Sequence, residues 1–183
     1  RAAAREIEQG LAHQKATDFF DQTLDLTQIA SRLQKWENQS NQSAQQVKDP
    51  TGVIKLDLQT AMQEGCGVFR NAESMQTLIE QLDPIRQRIE SAVLSDHSRA
   101  FNLDRIEALE LENLMILAFA TAHSAVLREE SRGAHSRMDF EDRDDVNWLK
   151  HSLYFLENHQ VRYKPVTLKP MTVDGFKPKP RVY

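Results

Sequence analysis

The chain has 183 residues, the length of one domain or of one domain with an appendage. Its 23 basic and 27 acidic side chains leave a formal charge of −4, which gives no global electrostatic reason to bind nucleic acid. A single cysteine, Cys66, excludes an internal disulfide framework and a cysteine-built metal site. The chain opens at Arg1 with no methionine and no signal-peptide pattern, inside helix-forming sequence, and it reads as a piece of a longer protein.

Residues 1–22 are expected to be the end of a helix and a linker, with Phe19 and Phe20 docking it to a core. From Thr23 the spacing turns helical: Leu26, Ile29, Leu33 and Trp36 form one apolar stripe. Glu37 to Lys48, rich in Asn, Gln and Ser, reads as a solvated loop. Asp49-Pro50 is a helix start, with Asp49 as cap and Pro50 in the first turn. Val53, Leu56, Thr60, Ala61 and Glu64 follow the turn, and Gly65 and Gly67 loosen the end around Cys66. Asn71 caps the next helix, whose stripe is Met75, Leu78, Ile79, Leu82, Ile85 and Ile89. Pro84 lies inside that run and is expected to kink it or split it, with Asp83 as a new cap.

Asn102 opens the longest helix, expected to run to about Arg132 with Gly133 as its stop. Leu114 to Leu127 is nearly all apolar, but a membrane span needs about 20 such residues, so a buried central helix explains it better. Phe140 to Val146 is a charged turn. Val161–Thr167 and Met171–Val173 read as short strands, and Phe176–Tyr183 as an extended tail. The fold class is mainly α: an antiparallel three-helix bundle of the spectrin-repeat kind over 23–133, then a small extended or β cap over 134–183. No internal repeat is present.

Candidate chemistry is sparse. His123, in the apolar run, reads as a core or boundary histidine with a hydrogen-bonding partner rather than a ligand. Asp139, Glu141, Asp142, Asp144 and Asp145 lack the glycine and terminal Glu of a calcium loop and read as an arginine-paired turn. Cys66 has only Arg70 as a basic neighbour and reads as an inert thiol. Lys177, Lys179 and Arg181 give a basic tail, solvated or steering a partner. There is no nucleophile elbow, phosphate loop or metal-spaced histidine pair, so no metal is expected.

One segment concentrates polar chemistry: Glu130, Ser131, Arg132, Gly133, His135, Arg137 and Asp139. Arg132 and His135 can face the last carbonyls of the long helix, and Arg137 can pair bidentately with Asp139 or Glu130. An anion site for a dicarboxylate or phosphate is the alternative.

These residues carry a family resemblance. Glu130-Ser-Arg-Gly-Ala-His-Ser-Arg137, Asp142-Arg-Asp-Asp145 and Asn147-Trp-Leu-Lys-His-Ser-Leu153 resemble the C-terminal region of the succinate dehydrogenase flavoprotein subunit, in its bacterial form. Glu110–Met115, Ala118–Ala122 and the closing Pro180-Arg-Val-Tyr183 agree with it. Glu141, Lys177 and Pro84 depart from the usual pattern, at turns rather than at chemistry. The Ser-Arg-Gly-x-His core is shared with fumarate reductase and L-aspartate oxidase. The resemblance implies a parent that oxidises succinate to fumarate on covalently bound FAD and passes electrons through an iron–sulfur subunit to quinone. It implies a peripheral place on the cytoplasmic face of the bacterial inner membrane, with anchor subunits as indirect partners. It also implies that the flavin and substrate residues lie upstream, so that 1–22 ends a flavin-domain helix. The piece itself is then expected to be structural, with no catalytic or cofactor-binding residue. An autonomous helical interaction module is the remaining alternative.

Overall fold

A computed structural model describes residues 27–38, 49–98, 100–175 and 179. Expectations for 1–26, most of the 37–48 loop, and Lys177 and Arg181 fall outside these residues. The chain divides into two compact units, Ser31–Pro165 and a smaller one made of 1–30 with 166–183. In the smaller unit the described residues 166–175 hold no strand, so the strand expected at Met171–Val173 is not formed.

The fold is mainly α with small β pairs, as expected, but four helices are described rather than three. They are α1 (Thr27–Asn38), α2 (Thr51–Cys66), α3 (Ala72–Ser91) and α4 (Leu103–Leu127). Helices α2, α3 and α4 each pack against the other two and share one apolar core. The α1 stripe is corrected: Trp36 is buried, whereas Ile29 and Leu33 are exposed. What fixes α1 is polar. The Glu112 carboxylate of α4 accepts from Arg32 Nε at 2.7 Å, Lys35 Nζ at 2.9 Å and Trp36 Nε1 at 3.2 Å. Burial pushes that carboxyl up, but these bonds outweigh it and hold it below its ordinary value.

Helix α2 begins differently from the expectation. Pro50 itself is the cap residue, and its carbonyl accepts from the Val53 and Ile54 amides. Asp49 instead accepts from Arg88 Nε of α3 at 2.7 Å. The buried face is Ile54, Leu58, Ala61 and Gly65, not the Val53 and Leu56 face. Gly65 decides which face wins. A Cβ there would collide with Leu78 Cβ, so α2 comes close against α3 at a position where it has no side chain.

Helix α3 carries a full capping box: Asn71 Oδ1 accepts from the Ser74 amide at 2.8 Å and Ser74 Oγ from the Asn71 amide at 3.2 Å. Its stripe is buried as expected, except that Ile79 is half-buried. Pro84 does not split the helix, and Asp83 is not a cap; it pairs with Arg86. The proline stands on the exposed face, where water can satisfy the Glu80 carbonyl that loses its donor.

Helix α4 starts at its Asn102 cap but ends at Leu127, well short of Arg132. It is only half a central helix: Met115, Ala118, Phe119, Ala122 and Ala125 are buried, while Leu114, Leu117 and Leu127 face out. Asp104 accepts from Thr51 Oγ1 at 3.0 Å and the Asp96 amide at 3.1 Å, tying the starts of α2 and α4. Between α2 and α3, β1 (Phe69–Arg70) pairs in parallel with β2 (Ser136–Arg137), which follows α4. An antiparallel hairpin of β3 (Lys150–Phe155) and β4 (Gln160–Pro165) packs on α4.

Candidate functional site

The segment after Leu127 turns back over the end of α4, and Arg137 reaches into it. Arg137 is 1% exposed. Its Nη1 donates to the carbonyls of Ala125 at 3.2 Å, Val126 at 3.0 Å and Arg128 at 3.1 Å. These carbonyls lie at the negative end of the helix, and that of Ala125 also accepts from the Arg128 amide at 3.2 Å. Its Nε and Nη2 form the expected fork onto Asp139, at 2.6 and 2.7 Å. Asp139 Oδ2 also accepts from the Ala72 amide at 2.9 Å, so one carboxylate joins the end of α4 to the start of α3. The Arg137 fork is the main cause that holds the Asp139 carboxyl down at about 2.

Glu130, fully buried, is the second centre. It accepts from Arg132 Nε at 2.8 Å and Nη2 at 3.0 Å, from the Asp144 amide at 2.9 Å, and from Arg128 Nη1. Burial pushes its carboxyl up, but these donors together hold it below its ordinary value. Arg132 Nη2 also reaches Asp145 Oδ1 at 2.7 Å, and Arg143 takes Asp145 Oδ2 at 2.7 Å. Arg128 continues outward, donating to the Trp148 carbonyl at 2.9 Å and to the Lys150 carbonyl of β3.

Smaller groups complete the knot. Ser131 Oγ accepts from the Arg137 amide at 2.8 Å and donates to the Phe140 carbonyl at 2.7 Å. His135 Nε2–H donates to the Arg128 carbonyl at 3.2 Å. Burial is the main cause that lowers the His135 value, and the surrounding arginines add to it, while the bond to Arg128 opposes it. Gly133, at φ +61°, makes the left-handed turn between the paired Arg132 and His135.

All seven residues singled out from the sequence meet here, with two corrections of role. Gly133 turns the loop and does not stop the helix. Arg132 faces Glu130 and Asp145, and Arg137 rather than Arg132 takes the helix carbonyls. Sequence reading passed over Arg128, a base just beyond the apolar run of α4, which is a known helix-end signal. Of the acidic residues expected to form an arginine-paired turn, Asp139 and Asp145 pair with arginines. Asp144 accepts from the Val146 and Asn147 amides, both at 2.9 Å. Among the described residues no cluster suits a metal ion.

Two other candidates lie elsewhere. Cys66 is buried, and Arg70 Nη1 donates to its sulfur at 3.3 Å. Burial pushes the thiol up more strongly than Arg70 pulls it down, so it stays protonated at neutral pH. His123 is half-buried; the neighbours that meet its ring are Phe119, Tyr154 and His159 rather than the expected hydrogen-bonding partner.

Residues 55–183 match the family model described as fumarate reductase flavoprotein C-term. The succinate dehydrogenase flavoprotein subunit of Coxiella burnetii is 46% identical over 157 residues, covering 86% of this chain and 26% of that protein. The fumarate reductase flavoprotein subunit of Haemophilus influenzae is 36% identical over 183 residues, covering 100% of this chain and 28% of that protein. A solved structure of a variant E. coli quinol fumarate reductase superposes with a TM-score of 0.65 at 33% identity, over 82% of this chain and 25% of that one. The chain thus spans about a quarter of the length of these relatives. The chain belongs to the family of succinate dehydrogenase and fumarate reductase flavoprotein subunits, and it corresponds to their C-terminal region.

Proposed function

We propose that this chain is the C-terminal helical and cap region of a succinate dehydrogenase flavoprotein subunit, with a structural and assembly role. In this reading the parent oxidises succinate to fumarate with FAD as hydride acceptor, and an iron–sulfur subunit carries the electrons to quinone. Residues 23–133 form the antiparallel bundle around α2, α3 and α4, and 134–183 form the cap. Glu130, Ser131, Arg132, Gly133, His135, Arg137 and Asp139 lock cap to bundle and touch neither substrate nor cofactor. The region packs against the flavin domain of its own chain and helps seat the iron–sulfur subunit. The complex sits at the cytoplasmic face of a bacterial inner membrane through its anchor subunits.

The observation that carries this reading is that the knot's guanidiniums are already bound by carboxylates of this chain. The fit to FAD is correspondingly poor. A pyrophosphate needs free amides at a helix start or uncommitted cations. The first amides of α3 are taken by Asn71 and Asp139, and the knot's arginines are spent. No step of the flavin chemistry is assigned to these residues.

The match over the full chain to a fumarate reductase subunit favours a second reading, a fumarate reductase parent. Purification of the complex that contains this chain separates the two. Quinone-linked succinate oxidation faster than quinol-linked fumarate reduction, with covalent flavin, is expected. The reverse preference supports the second reading, and free FAD with aspartate oxidation overturns both. The isolated chain, given FAD, succinate and a dye acceptor, is expected to show no turnover; turnover would overturn the structural role.

A further inference from the structure

Helix α4 is apolar on more sides than the bundle buries. Between Glu112 and Arg128 it carries no Asp, Glu, Lys or Arg on any face. A helix of that kind belongs inside a protein, whereas a surface helix keeps its charges on the side that meets water. One side of α4 does meet the core, through Met115, Phe119 and Ala122. The side that carries Leu114, Leu117 and Thr121, at three- and four-residue steps, is open: Leu117 is 60% exposed and Leu114 38%. Between this side and α2 runs a groove of about 480 Å³. Leu58 and Ala118 form its buried floor, and Met62, Leu114 and Leu117 its apolar walls. Its polar edge is made of amides and a hydroxyl, at Gln59, Gln63 and Thr121, and none of the described residues that line it is charged. The Lys55 Nζ–Glu110 pair, at 4.0 Å, stands one helical turn before it on both helices.

We propose, resting on the reading of the parent as a flavoprotein subunit, that the α2–α4 groove is the permanent seat of the flavin-bearing part of the same chain. A partner that comes and goes meets a surface about as polar as the rest of a protein, whereas a permanent interface resembles a core cut in two. The groove is of the second kind, with a charge-free centre and its ion pair at the rim. The length of the relatives supplies the occupant. This chain spans 26% of the Coxiella burnetii subunit and 28% of the Haemophilus influenzae one, so most of such a parent lies outside it. A segment of the same chain meets the groove at high effective concentration, whereas a separate subunit has to bring affinity of its own. The amides of Gln59 and Gln63 offer donors and acceptors at the edge, where the occupant's own polar groups must be met. A broad apolar contact also removes the freedom to hinge that linked domains have by default, so bundle and flavin part move as one body.

The intact parent complex tests this with two variants at outward-facing positions. Leu117→Cys is read by its rate of maleimide labelling, with the wild type as background for the buried Cys66. A residue as open as Leu117 labels near the rate of an unfolded peptide, and a covered one should label at least about tenfold more slowly. Labelling near the peptide rate would overturn the proposal. A benzophenone side chain in place of Gln63, at the edge of the groove, identifies what covers it. A cross-link to a peptide from the flavin-bearing part of the same chain is the expected result. A cross-link to the iron–sulfur subunit, to a second copy or to nothing overturns the proposal. The flavin content of the same preparation separates the two levels. A parent without flavin overturns the reading on which the proposal rests, while a flavin-bearing parent with an open groove overturns the proposal alone.

Discussion

Leu82 on α3 and Arg137 on β2 are equally shut off from water, at 0% and 1% exposure, yet the surroundings that keep them there have little in common. Leu82 belongs to a core of aliphatic side chains between three helices, where attraction is non-directional and scales with area removed from water. Arg137 belongs to a knot of hydrogen bonds, each of which works only along a set direction from donor to acceptor. The core demands volume and the knot demands geometry. A core position therefore accepts a residue of similar size, and a knot position accepts almost nothing.

Substitutions can break this contrast or sharpen it. Arg137→Ala strands the Asp139 carboxylate and the α4 carbonyls, and should cost about 3–5 kcal/mol in urea unfolding. Leu82→Ala should cost about 2–5 kcal/mol, whereas Leu82→Met, of similar volume, should cost less than about 1.5. Arg137→Lys keeps the charge but loses the fork, and should cost about 1–3 kcal/mol by the same measurement. If Arg137→Lys proved as mild as Leu82→Met, geometry would not be what the knot requires.

Acid separates the regions without mutation. The Asp139 carboxyl is depressed from 3.8 to about 2, so its contribution is present above about pH 4 and lost as the pH falls through about 2. Discounted for its partial exposure, that contribution is about 1–2 kcal/mol. Melting followed down that range should show the loss in the wild type and not in Asp139→Asn; the core has no such term. Asn71→Ala removes the α3 cap and should lower stability by about 1 kcal/mol. Its effect should add to that of Leu82→Ala, since cap and core act independently.

What was legible in the sequence follows the same division. The α3 stripe could be read because its apolar spacing allows one face, and the Asn71 cap because such a residue just before an apolar run is a local signal. The Arg137–Asp139 fork could be read because its partners are close in sequence. The face of α2 could not: Val53 and Leu56 compete with Ile54 and Leu58, and the choice is made by Gly65 against Leu78 on another helix. The end of α4 was misread because no breaker follows Leu127. The helix stops where Arg128 is drawn to the hairpin and Arg137 takes the last carbonyls, both of which are tertiary events. The hydrogen-bonding partner expected for His123 was replaced by rings that come from a hairpin some thirty residues on.

The knot also bears on what the rest of the molecule feels. Between residues 128 and 145, Arg128, Arg132, Arg137 and Arg143 stand among seven carboxylates, of which Glu129, Glu141 and Asp142 are exposed. Inside the knot the opposite charges cancel at short range, and an excess of negative charge is left on its rim. A segment dense in guanidiniums thus presents net negative charge to its surroundings. A small dianion diffusing nearby would be turned away weakly rather than drawn in.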